Sequence, residues 1–303
     1  MPKKPPPPPP DLAELLESWK LNLESEAKSD LTVASYTSHV RAWLRWCEQT
    51  AHPAELTRDT VARHIAGMLT AGSEPNTARL RLASLRAFTR WLTAEGEIDT
   101  DPLIGMRPPK LTTKVTESLT DDQLRLLLKA CAGKTLRDRR DEAIVRLMLE
   151  TGLRAGEVIG LQTTDLDLAR GLVTVRRGKG GKGRIAPFSS QTAAALDRYL
   201  RARRSHRRAE GPALWVGVGG KGFGYHGLND TLRDRARAAG IDGFHLHLMR
   251  HTAATRWLRA GGSEGGLMAV AGWSTRSMID RYTGASAAER AAAEARGLGL
   301  GDL

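Results

Sequence analysis

Thr151-Gly152-Leu153-Arg154-Ala155-Gly156-Glu157-Val158 closes a helical run, and the rest of the chain is organised around it. Downstream come Gly178-Lys179-Gly180, then His247-Leu248-Met249-Arg250-His251, then Ala271-Gly272-Trp273, with Tyr282 nine residues after the tryptophan. In chain order these supply two guanidiniums, an ammonium, an imidazole, an indole N–H and a phenol, a set suited to one phosphate.

The bulk of the chain agrees with an anionic partner. Its 303 residues contain 46 Lys and Arg against 34 Asp and Glu, a formal charge of +12, which points to nucleic acid. That length favours two domains, each able to bury a core. Cys47 and Cys131 are the only cysteines, too few for a disulfide framework or a Cys-rich zinc site, and they fit a reduced, cytoplasmic location. Met1-Pro2-Lys3-Lys4 runs into the prolines Pro5 to Pro10, which is not the apolar segment of a secretory signal. No stretch approaches the ~18 apolar residues of a membrane span.

Residues 1–10 read as an extended or disordered polyproline leader and residues 11–102 as a helical DNA-clamp domain. Asp30 or Thr32 would cap a helix that buries Val33, Tyr36, Val40, Trp43, Leu44 and Cys47. A later helix, starting near Glu74-Pro75-Asn76, buries Ala78, Leu82, Leu85, Phe88 and Leu92 and carries Arg79, Arg86 and Arg90 along its other side. Arg41 and Arg45 form a similar pair, and these five arginines are the expected DNA contacts of the module. Asp99-Thr100-Asp101-Pro102 and Arg107-Pro108-Pro109-Lys110 interrupt the helical pattern, so residues 103–117 read as a linker and 118–303 as the second domain.

That domain opens on a capping box, Thr120 with Gln123, and continues in a helix over about Arg137 to Glu150 that Gly152 terminates. Leu172-Val173-Thr174-Val175 and Arg184-Ile185-Ala186-Pro187-Phe188 predict an antiparallel hairpin, with Arg177 to Gly183 as its turn. The fold class is therefore mainly α with a small antiparallel sheet. Lys179 at the hairpin tip can reach a nearby backbone, and Lys182 and Arg184 are expected on flanking phosphates.

Three other chemistries fail on spacing. A phosphate loop needs Gly-Lys followed by Ser or Thr at a helix start, and Gly178-Lys179 is followed by glycines. Gly217-Val218-Gly219-Gly220-Lys221-Gly222 satisfies the dinucleotide pattern, but no parallel-strand unit follows it. His247 and His251 are four apart, yet the residue after His247 is Leu248 where a zinc protease needs glutamate, so no metal site is expected. His247 and Arg250, three apart, instead share a helix face on which they can converge on one anion.

Arg154 with Glu157, Lys179 in a Gly-rich hairpin, His247-x-x-Arg250, Trp273 and Tyr282 together resemble the active-site pattern of the tyrosine recombinases, the phage-integrase family that includes Xer-type recombinases and Cre. The resemblance implies a helical core-binding (SAM-like) first domain and a catalytic second one. It also implies site-specific recombination of double-stranded DNA by a homotetramer through a Holliday junction. Within it Lys179 is the general acid, Glu157 orients neighbouring catalytic groups, and Trp273 stands where many members have histidine. A C-terminal helix such as Ala285 to Ala295 docks on a neighbouring protomer in the family.

The chemistry also follows from the residues. Charge building on the non-bridging oxygens of a phosphodiester is matched by the permanent guanidiniums of Arg154 and Arg250. The Tyr282 phenol is mostly protonated at neutral pH and needs a base, for which His247 is the candidate. Trp273 can donate a hydrogen bond but cannot titrate. Attack would exchange one phosphodiester for another, leaving a 3′-phosphotyrosyl link, so neither ATP nor a metal is required and no cofactor is expected. Two rival readings share these residues: a type IB-like topoisomerase, and an accessory DNA-binding protein without catalysis.

Overall fold

The computed structural model describes residues 11–111, 118–176, 183–275 and 278–279, which fall into two compact units, one before and one after the segment 112–117. Polyproline residues 1–10, Lys179, Lys182, Tyr282 and the C-terminal helix candidate Ala285 to Ala295 lie outside the described residues.

The first unit is a bundle of α1 (Leu12–Ser25), α2 (Asp30–Gln49), α3 (Arg58–Thr70) and α4 (Pro75–Ala94). Its helices start where short polar side chains can take up the exposed amides of a first turn. Asp11 accepts from the amides of Ala13 and Glu14, and Thr57 accepts from that of Thr60. The cap of α2 is Ser29, which accepts from the Thr32 amide; Asp30, expected as a cap, lies instead in the first turn beside the positive helix end. The apolar stripes meet in a core where Trp19 lies 5.0 Å from Phe88 and 5.9 Å from Tyr36, centroid to centroid. The chain after α4 returns to this bundle: Leu103 is fully buried in its core.

The second unit begins with the capping box of Thr120 and Gln123 on α5 (Asp121–Ala130) and continues into α6 (Leu136–Thr151). α7 (Ala155–Ile159) leads to a three-stranded antiparallel sheet of β1 (Leu166–Asp167), β2 (Leu172–Val175) and β3 (Arg184–Pro187), in the order β1-β2-β3. β2 and β3 pair with Val173 opposite Ala186 and Val175 opposite Arg184, so the expected hairpin forms in that register. The short strand β1 has no counterpart among the sequence expectations. α8 (Ser190–Arg203), α9 (Tyr225–Ala238), α10 (Leu246–Arg259) and α11 (Glu264–Ala271) complete the unit. One core joins Ile144, Leu147 and Met148 of α6 to Leu196 and Tyr199 of α8, Leu228 and Leu232 of α9 and Met249 of α10. The fold is mainly helical with a small antiparallel sheet, and no described helix is long and apolar enough to cross a membrane.

Candidate active site

Two helices end on left-handed glycines, and the site forms where those ends meet. α6 stops at Gly152, φ +59°, and α11 at Gly272, φ +64°, a conformation glycine adopts without the Cβ penalty. A helix end leaves carbonyls without intrahelical donors and carries partial negative charge, so a cation placed there is favoured. Arg250 of α10 is that cation. Its Nη1 donates to Gly152 O at 2.6 Å and its Nη2 to Ala271 O at 2.7 Å, and the residue is only 2% exposed. The guanidinium also lies over the Trp273 ring, Cζ 5.2 Å from the centroid, within cation–π range. Arg250 therefore binds together the Thr151-Gly152-Leu153-Arg154 turn and the Ala271-Gly272-Trp273 turn.

Arg154 lies two residues beyond the carbonyl that Arg250 holds, and it caps α7. Its backbone N–H donates to Glu157 Oε2 at 2.8 Å and its Nη1 to Glu157 Oε1 at 2.9 Å. The Arg154 side chain is 27% exposed while that of Glu157 is buried at 6%. Burial pushes the Glu157 carboxyl up, but donors from Arg184 and Arg154 outweigh it and hold the group below its ordinary range, ionised at neutral pH.

His247, one turn before Arg250 on α10, is exposed. Its pKa is lowered, first by desolvation and then by the charge of Arg250, with His245, His251 and Arg154 adding to it. An imidazole so placed is neutral at pH 7 and able to accept a proton. His251 is buried in α10, whereas His245 stands exposed at its N-cap.

Arg184, expected on a flanking phosphate, is turned into the protein. Its Nη1 and Nη2 donate to the two oxygens of Glu157 at 3.0 and 2.7 Å, its Nε donates to Val270 O at 2.8 Å, and its side chain is 9% exposed. The signal was available in the alternation of β3: Arg184 shares a face with Ala186, which is fully buried, while Ile185 between them is exposed at 58%.

The arginines of the first unit divide in a similar way. Arg41 is exposed and paired with Glu17 at 2.6 Å, and Arg45 and Arg90 are exposed. Arg79 and Arg86 are half-buried; their Nη1 atoms reach Pro109 O at 2.7 Å and Met106 O at 3.4 Å. These bonds supply donors to carbonyls that the proline-interrupted segment leaves outside any ladder.

The sequence pattern of the phage integrase family matches residues 117–289, and that of the phage integrase N-terminal SAM-like domain matches residues 16–96. The tyrosine recombinase XerC of Neisseria meningitidis serogroup B is 31% identical over 277 residues, 90% of this chain and 91% of its own. The crystal structure of XerA recombinase aligns with a TM-score of 0.52 at 26% identity, over 90% of this chain and 94% of the other. That of a lambda integrase tetramer bound to a Holliday junction aligns at 0.67 and 18% identity, over 87% and 77%, a likeness of fold. Two-domain architecture, pattern and relatives agree, and the chain belongs to the phage integrase family, the tyrosine recombinases.

Proposed function

We propose that the protein cleaves and rejoins double-stranded DNA at a specific site through a 3′-phosphotyrosyl intermediate on Tyr282. The observation that carries this reading is Arg250 of α10 bound to the Gly152 carbonyl, two residues before Arg154, with His247 one turn before Arg250 on the same helix. Such a cluster matches a phosphodiester whose non-bridging oxygens gain charge as a fifth ligand approaches.

In this reading Arg154, open to solvent, meets the phosphate directly, and Arg250 contributes charge and fixed geometry from below. His247 accepts the Tyr282 proton, Lys179 protonates the leaving 5′ oxygen, and the Trp273 indole N–H donates to a phosphate oxygen without titrating. Glu157 orients Arg154 through both of its oxygens. The exchange is close to isoenergetic. Arg41, Arg45, Arg90 and Lys182 supply contacts to the DNA backbone outside the scissile phosphate, while Arg79 and Arg86 brace the segment after α4. Four protomers on two duplexes, as in the lambda integrase tetramer on its junction, would carry strands from one duplex to the other.

Covalent trapping tests the reading. Wild type and Tyr282→Phe are incubated with DNA from the gene's neighbourhood and quenched in detergent. A protein–DNA adduct in wild type alone is the expected result; no adduct on DNA that is bound specifically leaves only the accessory DNA-binding role. Rejoining to a second duplex separates recombinase from topoisomerase. The pH dependence carries the role of His247. Its base function needs the neutral ring, so adduct formation under kcat/KM conditions is lost as pH falls through a pKa below the ordinary imidazole value. An acid limb that His247→Gln leaves in place would assign it to another group.

A further inference from the structure

We propose that Arg184 is a positioning residue of the phosphate site, holding Arg154 through Glu157 and holding the end of α11 through the Val270 carbonyl. The inference rests on the phosphoryl-transfer reading above and deepens it.

Each Glu157 oxygen accepts two N–H groups. Oε1 takes Nη1 of Arg154 at 2.9 Å and Nη1 of Arg184 at 3.0 Å, while Oε2 takes the Arg154 amide at 2.8 Å and Nη2 of Arg184 at 2.7 Å. The third donor, Nε, is on Val270 O at 2.8 Å. Val270 immediately precedes Ala271, whose carbonyl holds Arg250 at 2.7 Å. The guanidinium of Arg184 also lies directly on the backbone of Gly272, where an added Cβ would stand 3.0 Å from Nη1 and 3.1 Å from Cδ and Cζ. One side chain of β3 thus touches the Arg154-x-x-Glu157 motif and the turn that presents Trp273. With three donors engaged inside the protein and a side chain 9% exposed, it is badly placed to grip a flanking phosphate.

Its charge has a second consequence. Arg154 and Glu157 alone would cancel, leaving the phosphate facing a neutral pair. Arg184 neutralises the carboxylate, so the three groups together keep one net positive charge at the place where an anion must be held. In a partly buried site that charge is weakly screened.

Three variants test this: Arg184→Gln, Glu157→Gln and the double substitution, assayed as folded full-length protein on the native recombination DNA. The salt slope of specific binding stays at the wild-type level in Arg184→Gln, because the residue touches no phosphate itself, while affinity falls modestly with the lost charge. Single-turnover adduct formation at saturating DNA falls by on the order of ten- to a hundred-fold, as small misplacements of a catalytic group do. The double variant, relieved of the uncompensated carboxylate, reacts faster than Arg184→Gln alone. A salt slope reduced by about one with an intact adduct rate would make Arg184 a phosphate contact and overturn the inference. A double variant no faster than Arg184→Gln also overturns it, since a purely structural role predicts added damage. If Arg184→Gln does not fold, Arg184→Lys keeps the charge but cannot make three bonds at fixed angles. It should bind DNA normally and cleave slowly, and cleavage at the wild-type rate would refute the proposal. The Nε–H resonance of Arg154 in DNA-free protein separates this inference from the catalytic reading. It shifts in Arg184→Gln whether or not the wild type cleaves, and an unmoved signal counts against positioning.

Discussion

At Gly272 two requirements coincide. The residue sits at φ +64°, which costs an L side chain on the order of 1 kcal/mol, and the Arg184 guanidinium would crowd an added Cβ at 3.0–3.1 Å. Gly152 meets only the first: at φ +59° its added Cβ would stand 3.7 Å from Ala253 Cβ, an ordinary contact. Gly152→Ala is therefore expected to lower unfolding free energy by about 1 kcal/mol, and Gly272→Ala by roughly twice that. Gly272→Ala should also displace Arg184 from Glu157. Urea denaturation of the two variants checks the order, and equal losses would show that Arg184 moves aside without cost.

Among the elements, one arginine gathers four carbonyls from the segment that leads from α8 into the Leu214-Trp215-Val216 run. Arg203, 5% exposed at the end of α8, donates through Nε to Leu214 O, through Nη1 to Ala209 O, and through Nη2 to Gly211 O and Ala213 O at 2.8 and 2.7 Å. Beside it the Tyr199 hydroxyl donates to Leu214 O and accepts from the Val216 amide, and burial pushes that phenol up to about 12, so it stays a donor. Trp215 then ties the run to α7 through its indole N–H on Val158 O at 2.8 Å. Arg203→Met keeps the apolar stem but strands carbonyls, each worth about 1 kcal/mol. A loss of roughly 2–4 kcal/mol is expected, with amide exchange accelerated first over residues 204–213. Uniform acceleration across the second unit would refute the local role.

On the scale of the whole molecule, the two units have different polar interiors. In the second, buried charge finds partners: Arg140 lies on Asp141 at 2.8 Å, Arg235 on Asp138 and Asp141 at 2.7 and 2.9 Å, and Arg203 and Arg250 on backbone carbonyls. In the first, His64 of α3 is 4% exposed, and neither ring nitrogen has a hydrogen-bond partner. Burial, followed by the charge of Arg81, lowers its pKa to about 4. Because the folded value lies below the unfolded one near ~6.5, the unfolded chain binds the proton more readily. Stability is then complete above about pH 6.5 and declines as pH falls toward 4, by up to roughly 3 kcal/mol from this group. His64→Leu should remove that part of the acid sensitivity. Parallel pH dependences of wild type and variant, followed by amide exchange in α3, would assign it elsewhere.

Much of this was legible in the order of residues, because helices and hairpins are decided by local periodicity and local capping. The helix expected over Arg137 to Glu150 is α6, Leu136–Thr151; the expected strands are β2 and β3; and Gly152 ends its helix as the sequence implied. β1 escaped because two residues, Leu166 and Asp167, are too few to show a period. The cap of α2 escaped by one residue because Ser29, Asp30 and Thr32 are all competent. The sequence by itself determined the mainly helical class, which rests on residue types at fixed spacings, and from such spacings it also raised the expectation of a phosphate cluster. Only the tertiary structure decided how the members are supported: Arg250 between two helix ends that are 98 and 21 residues away from it in sequence, and Arg184 turned inward onto Glu157. Alternation along β3 points Arg184 inward, but which carbonyls and carboxylates a fold leaves beside a cation depends on how its elements pack, and the spacing of residues along the chain carries no record of that.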